Sequence, residues 1–273
     1  MGYPEQFKIA TRLLNDNILL GSTAFTRFDR VNFGARMAIF NYKSTTPSPN
    51  TDNLIIWSPL PYGSQVQEIL QNFTTSNFES SLKYVIIPDK EHNMAGKTYK
   101  EKFPNCKLIG MEGIDYGTIK LDYIFKKSMG NMIFKDANLR EIINDDLIVD
   151  NFEFVYLPYH SNQELVVYEK KSKTLFEADL LFNLGCSSQL EQFSPATGYP
   201  SNFNPHTGWS FLTRYLQPYS KIGRWMFRFV VNVKKSKQGL QAISLLNFDN
   251  IVMCHGNIIT ENAKKAFDNV FID

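Results

Sequence analysis

Between residues 54 and 110, three apolar, β-branched runs alternate with two helix-forming segments, and this order restricts the fold more than any other feature of the chain. Leu54-Ile55-Ile56-Trp57, Lys83-Tyr84-Val85-Ile86-Ile87 and Lys107-Leu108-Ile109-Gly110 have the composition of strands, the first two closed by Ser58-Pro59 and Pro88. A helix is predicted over 65–73, with Ser64 as its cap and Gln67 completing a capping box. A second is predicted over 96–102, stopped by Pro104-Asn105. Helices set between strands act as crossovers, so this part of the chain reads as β-α-β units of a layered fold, unlike a meander.

The flanks extend the pattern. Ile18-Leu19-Leu20-Gly21 and residues 35–42 read as two earlier strands, and with 54–57 they predict an antiparallel start to the sheet. Residues 43–52, rich in Ser, Thr, Pro and Asn, read as an exposed loop. Further on come a strand over 152–157 and a hairpin of 164–169 and 174–176 around a polar turn. Residues 185–204 lack period and predict a loop insert of the kind that caps a site. Helices are predicted over 206–216 and 236–246. The chain then runs through a strand over 251–254, the loop His255-Gly256-Asn257 and a helix over 260–271 capped by Thr260. A length of 273 residues, 43% apolar and 21% charged, suits one globular domain over 1–273.

Composition narrows the partners. A net charge of +2, with only the short basic runs Lys170-Lys171-Ser172-Lys173 and Lys234-Lys235-Ser236-Lys237, argues against a nucleic-acid groove. Three widely spaced cysteines, Cys106, Cys186 and Cys254, suggest neither a disulfide framework nor a thiolate zinc site. With no signal-peptide pattern at the start, a cytoplasmic location is expected. No apolar run is long enough for a transmembrane segment; residues 225–231, Trp225-Met226-Phe227-Arg228-Phe229-Val230-Val231, suit a buried element or an amphipathic patch, with membrane-surface contact as a further reading.

Of the four histidines, three stand just beyond predicted strand ends: His92 after 83–87, His160 after 152–157 and His255 after 251–254. Asp179 follows 174–176 in the same way. Loops beyond strand ends in layered αβ folds converge on one edge of the sheet. Imidazole nitrogen with carboxylate oxygen is a donor set for zinc, iron or manganese. Each residue also has a structural use, since a histidine can bond backbone groups and an aspartate can cap a turn. The fourth, His206, precedes a predicted helix and suits a helix-start role. Nucleophile-elbow, dinucleotide and P-loop motifs are missing. Cys254 beside His255 does not read as a nucleophile pair, because neighbouring residues of a strand point oppositely.

Four segments occur in order: Ile87-Pro88-Asp89-Lys90-Glu91-His92-Asn93-Met94-Ala95-Gly96, Leu157-Pro158-Tyr159-His160-Ser161, Leu175-Phe176-Glu177-Ala178-Asp179-Leu180-Leu181-Phe182, and Cys254-His255-Gly256. Together they resemble the metallo-β-lactamase-like superfamily, and within it the branch often called the DUF4336 family, over about residues 15–270. The resemblance implies an α/β (α+β) fold, a four-layer αββα sandwich. Metal-binding members open the first segment with two histidines, an aspartate and a third histidine. Those positions fall here on Ile87, Asp89, Glu91 and His92. The later histidine falls on His160, the bridging aspartate on Asp179 and the final histidine on His255.

What the resemblance implies is therefore a reduced, mononuclear site. One zinc, iron or manganese ion would be held by Glu91, His92, Asp179 and His255, with Glu91 as ligand or proton carrier. The other position retains only His160, Asp89 and a share of Asp179, so His160 would meet a weak second ion or the substrate. A metal-dependent hydrolase-like protein acting on a small ester, lactone, thioester or phosphoester follows by the same resemblance. The losses at Ile87 and Asp89 leave open a catalytically inactive form of the fold, used as a binding or interaction module without an ion.

Overall fold

The computed structural model describes residues 2–5, 7–43, 51–185 and 189–272. The first half contains β1 (Ala10–Asn15), β2 (Ile18–Thr23), a short ribbon of β3 (Thr26–Arg27) and β4 (Val31–Asn32), β5 (Ala35–Lys43) and β6 (Asp52–Trp57). It continues through α1 (Ser64–Phe73), α2 (Phe78–Ser81), β7 (Leu82–Ile86), α3 (Gly96–Lys102), β8 (Lys107–Met111) and β9 (Tyr123–Phe125). The second half contains β10 (Ile133–Phe134), α4 (Asp136–Arg140), α5 (Asp146–Val149), β11 (Phe152–Leu157), β12 (Glu164–Glu169) and β13 (Thr174–Glu177). A 3-10 segment, Gly208–Tyr215, leads to α6 (Lys221–Val231), α7 (Val233–Leu245), β14 (Asn250–Met253) and α8 (Ala263–Phe271).

Two sheets result. The first has the order β1-β2-β5-β6-β7-β8-β9, and the second β10-β11-β12-β13-β14. The expected antiparallel start is present in β2, β5 and β6, and the β-α-β crossovers make β6, β7 and β8 parallel. In the second sheet only β13 and β14 run parallel, joined by the long excursion through α6 and α7.

Strand residues are buried on both faces, as strands covered on two sides must be. Ile39 and Ile56 join the core beneath α1 and α3, while their neighbours Phe40 and Trp57 join the core between the sheets. Likewise Val155 and Leu175 pack under α6, α7 and α8, while Phe154 and Phe176 face the other sheet. Phe176 closes the gap, its ring 5.0 Å from Phe40 and 5.6 Å from Trp57 in edge-to-face contact. Three cores between four layers make an αββα sandwich. Truncating a ring such as Phe176 to alanine would cost about 3–5 kcal/mol.

Several local expectations differ. Ser64 does not cap α1, whose N-cap is Gly63 without a side-chain bond. Thr260 does not cap α8 either; Asn262 occupies that position in a left-handed conformation. The 206–216 segment is a 3-10 helix rather than an α-helix, and α7 starts at Val233, where the Asn232 side chain accepts from the Lys235 N–H. Edge strand β1, with four exposed positions, has no apolar run to announce it. Residues 44–50 of the expected first loop, and Cys186, lie outside the described residues.

Candidate metal centre

The four strand-end segments meet where the carboxyl ends of β7, β11, β13 and β14 converge. Cross-links between loops hold them: the Lys90 N–H donates to Asn162 O at 3.0 Å, and the Leu165 N–H to Pro88 O at 2.7 Å. His92, Asp179 and His255 bring one donor atom each to within 4.8 Å of one another.

Each side chain is aimed by a local device. Beyond β7, Asp89 Oδ1 accepts from the backbone N–H groups of Glu91 and His92, both at 2.8 Å, and lies 3.0 Å from His92 Nδ1. With Nδ1 engaged by a carboxylate, Nε2 is the His92 nitrogen left for another partner. His255 follows the same rule: its Nδ1 lies 2.8 Å from Gly34 O, so Nε2 is the nitrogen turned toward Asp179. Anchoring one ring nitrogen on a carboxylate or carbonyl is the usual way of presenting the other to a cation. Gly256 turns the chain after His255 at φ +93°, and a Cβ there would lie 2.2 Å from Asn183 O. Buried Arg36 secures the same turn by donating to Gly256 O at 2.8 Å, while pairing with Glu191 at 2.9 Å.

Asp179 is set by Glu164, whose carboxylate accepts from the Ala178 N–H at 2.6 Å and the Asp179 N–H at 3.1 Å. Glu177 accepts from the Leu180 and Leu181 N–H groups at 2.9 and 3.1 Å. Asn162 Nδ2 donates to Asp179 Oδ2. Asp179 Oδ1 lies 3.0 Å from His255 Nε2 as an ion-pair contact without the alignment of a hydrogen bond, so this buried oxygen has no hydrogen-bond partner.

Electrostatics follow from that crowding. Burial would raise the Asp179 pKa, but the imidazoles of His92, His255 and His160 hold it below the usual carboxylate value. Burial opposes charge on His92, yet the Asp89 carboxylate, the Cys254 sulfur and the Asp179 carboxylate raise its pKa well above 6.5. Glu164 is pushed well above 4.5, first by burial and then by Asp89, Glu177 and Asp179; Glu177 is pushed up chiefly by burial. Four buried carboxylates thus stand beside three imidazoles, and Asp89 Oδ2 and Glu177 Oε1 also lack partners. An excess of buried negative charge calls for a cation or protons.

The other expected site residues are placed differently. His160 has both nitrogens in protein bonds: Nδ1 accepts from the Asn162 N–H at 3.1 Å and Nε2 faces Asp179 O at 3.3 Å. Burial keeps its pKa below 6.5. Glu91 points away from the cluster and lies 3.7 Å from Arg27, both side chains partly exposed. Asp89 stands behind His92. His206 is remote, its Nδ1 2.9 Å from Thr213 Oγ1, and so serves the start of the 3-10 segment. Cys254 is buried against Ser58 Oγ at 3.1 Å and belongs to the core between the sheets. Ile87 packs into the core under α3. Asn162, Glu164 and Glu177 were not anticipated; a charged residue interrupting an apolar strand was the available signal for the two glutamates.

No family model matches the chain, and no curated protein does. Solved structures do. A DIM-1 metallo-β-lactamase exposed to ceftazidime aligns over 97% of both chains with 14% identity and a TM-score of 0.54. The chain has the metallo-β-lactamase fold. The metal-soaked Flv1 flavodiiron core of Synechocystis sp. PCC6803 shares that fold at a TM-score of 0.60 and 13% identity, over 97% of this chain and 60% of the other. The metallo-β-lactamase FIM-1 from Pseudomonas aeruginosa, in a mono-zinc form, aligns over 98% and 96% at 8% identity and a TM-score of 0.53.

Within this metallo-β-lactamase fold a cavity of about 540 Å³ opens on the cluster. His92, Asp179 and His255 contribute to its lining, as do Phe25, Phe33, Met94, Phe182, Met226, Arg27 and Glu91. The cavity is largely apolar, and its polar lining also includes Ser58, Thr98, Ser161 and Asn162. None of the described residues of the 185–204 insert lines it, contrary to the expectation that this loop caps the site. Instead Glu191 binds Arg36 and Gln192 Nε2 donates to Gly256 O at 3.0 Å, so the insert braces the His255 turn from behind.

Proposed function

We propose that this chain is a metal-dependent hydrolase-like protein with a mononuclear site in which His92, Asp179 and His255 are the protein ligands. The observation that carries this reading is Asp179 Oδ1, a buried carboxylate oxygen without a hydrogen-bond partner, beside two imidazoles whose Nδ1 atoms are already engaged. That donor set suits zinc, iron or manganese. When bound, such an ion supplies Lewis-acid polarisation and activation of water.

The chain's own residues divide the remaining work. Asp89 and Gly34 O orient the two imidazoles, and Asn162 with Glu164 holds the Asp179 carboxylate. His160, bonded at both nitrogens, supports the loop after β13 and is not assigned as a ligand. Glu91, close to Arg27 on the cavity wall, is the group assigned to carry a proton or meet a polar substrate atom. The aromatic and methionine lining excludes water and favours a substrate with an apolar body, among the ester, lactone, thioester and phosphoester classes.

Metal analysis of protein purified without chelator tests the proposal. About one ion per chain, lost on His92→Ala or His255→Ala, is expected. Below about a tenth of an ion after supplementation, the proposal fails. The competing reading, an inactive binding module, is favoured by the engaged nitrogens of His160 and the buried Ile87, which remove donors from the other metal position. That metal-free outcome would leave this module as the surviving account.

A further inference from the structure

Residues 192–248 contain no aspartate or glutamate and seven lysines or arginines, whereas the rest of the chain carries 22 basic and 27 acidic residues. The segregation is hidden in a net charge of only +2. At the centre of this stretch lies α6, which meets three environments. Gly223, Phe227 and Val231 are buried against the body of the protein. Met226 and Val230 line the cavity. Ile222, Trp225 and Phe229 face outward, with Trp225 69% and Phe229 72% exposed and their rings stacked at 5.9 Å. The 3-10 segment packed beside α6 leaves Trp209 74% exposed and Leu212 exposed as well.

Large apolar side chains grouped on one helix face are rarely left to water. Here they are interleaved with Lys221 and Arg224, while Arg228 is engaged with Val270 O at 2.7 Å. We propose that α6 docks the protein on an anionic lipid bilayer, with Ile222, Trp225 and Phe229 entering the headgroup–acyl boundary and the basic residues meeting lipid phosphates. An aromatic and aliphatic face flanked by lysine and arginine, in a stretch of chain without an acidic residue, is the pattern of an interfacial helix. A nucleic acid fits less well, because Ile222 and Leu212 offer no ring to stack on and Trp225 and Phe229 cover one face of each other. Docking through α6 places the cavity wall formed by Met226 and Val230 on the membrane side of the molecule. The inference does not depend on whether the cluster holds an ion.

Flotation of the full chain with vesicles tests it, comparing phosphatidylcholine alone with phosphatidylcholine containing phosphatidylserine. Binding to the mixed vesicles at low salt, release at high salt and a blue shift of tryptophan emission that survives Trp209→Phe but not Trp225→Phe are expected. The partition should fall about tenfold or more in Trp225→Ala/Phe229→Ala, and likewise in Lys221→Glu/Arg224→Glu. The proposal is overturned by no flotation of the unmodified chain, equal binding to both vesicle types, both variants binding like the unmodified chain, or Trp225-dependent binding of a single-stranded oligonucleotide in place of vesicles. Self-association abolished by Trp225→Ala/Phe229→Ala, without flotation, would overturn it in favour of a second copy of the chain.

Discussion

Asp89 distinguishes a residue that binds an ion from one that aims a ligand. Its Oδ1 takes three donors, the N–H groups of Glu91 and His92 and the ring nitrogen of His92. Replacing it with alanine would strip all three of the acceptor that buried Asp89 supplies. At about 1–3 kcal/mol per buried unsatisfied group, the loss is about 3–9 kcal/mol, a large part of a typical total stability of about 5–15 kcal/mol. That variant tests folding, not function. Asp89→Asn is the informative change, because the amide oxygen still accepts from the two backbone groups while the charge facing His92 is removed. Loss of an orienting carboxylate behind a metal-binding histidine weakens affinity about 10–100-fold. Asp89→Asn is therefore expected to retain one ion per chain with a Kd raised by that factor, about 1.4–2.7 kcal/mol. Competition against a chromophoric chelator measures it. An unchanged Kd would refute the orienting role. Complete loss of the ion, as with removal of Asp179, would show that Asp89 is itself a ligand.

Further outcomes follow from the same geometry. Asp179→Asn should abolish stoichiometric metal binding, since it removes the only charged donor of the cluster; elemental analysis showing a full complement would contradict the assigned ligand set. In the metal-free protein Glu164 and Glu177 keep their protons to well above 4.5, and His92 keeps its own to well above 6.5. The folded state then binds more protons than the unfolded chain, so stability is lost as pH rises through those raised values. His160 and His206, held below 6.5, oppose this only beneath 6.5. The unfolding free energy of the metal-free protein should accordingly fall as pH rises above 6.5, by up to about 1.4 kcal/mol per pH unit for each raised group, and added metal should flatten the slope. A rise over that window would contradict the charge arrangement. Gly256→Ala combines a left-handed φ with a clash against Asn183 O, so a loss of about 3 kcal/mol or more in denaturant unfolding is expected. Glu91→Gln should leave metal content unchanged, because the carboxylate lies outside the cluster; loss of the ion would restore Glu91 as a ligand.

The donors of the cluster were legible before any coordinates, as polar residues directly after strands. Their roles were only partly so. His160 follows its strand as His92 and His255 follow theirs, but Asn162, two residues on, returns its backbone N–H to the ring and uses up the free nitrogen. Glu91 is expected as a ligand or proton carrier, yet the turn built on Asp89 sends its side chain toward Arg27. Glu164 and Glu177 read as ordinary strand residues until their carboxylates were found capping the backbone that carries Asp179 and its neighbours. The helix caps failed at Ser64 and Thr260, where the helix began one or more residues away from the expected cap.

The succession of the central strands along the chain, the crossovers between them and the positions of the polar loops were determined by the sequence itself, because β-branching and proline or glycine punctuation act over a few residues. Tertiary structure alone decided which donors meet, which nitrogen each histidine turns inward and which carboxylate oxygen is left without a partner. Those outcomes depend on side-chain direction and on hydrogen bonds between loops far apart in the chain, and no local pattern records them.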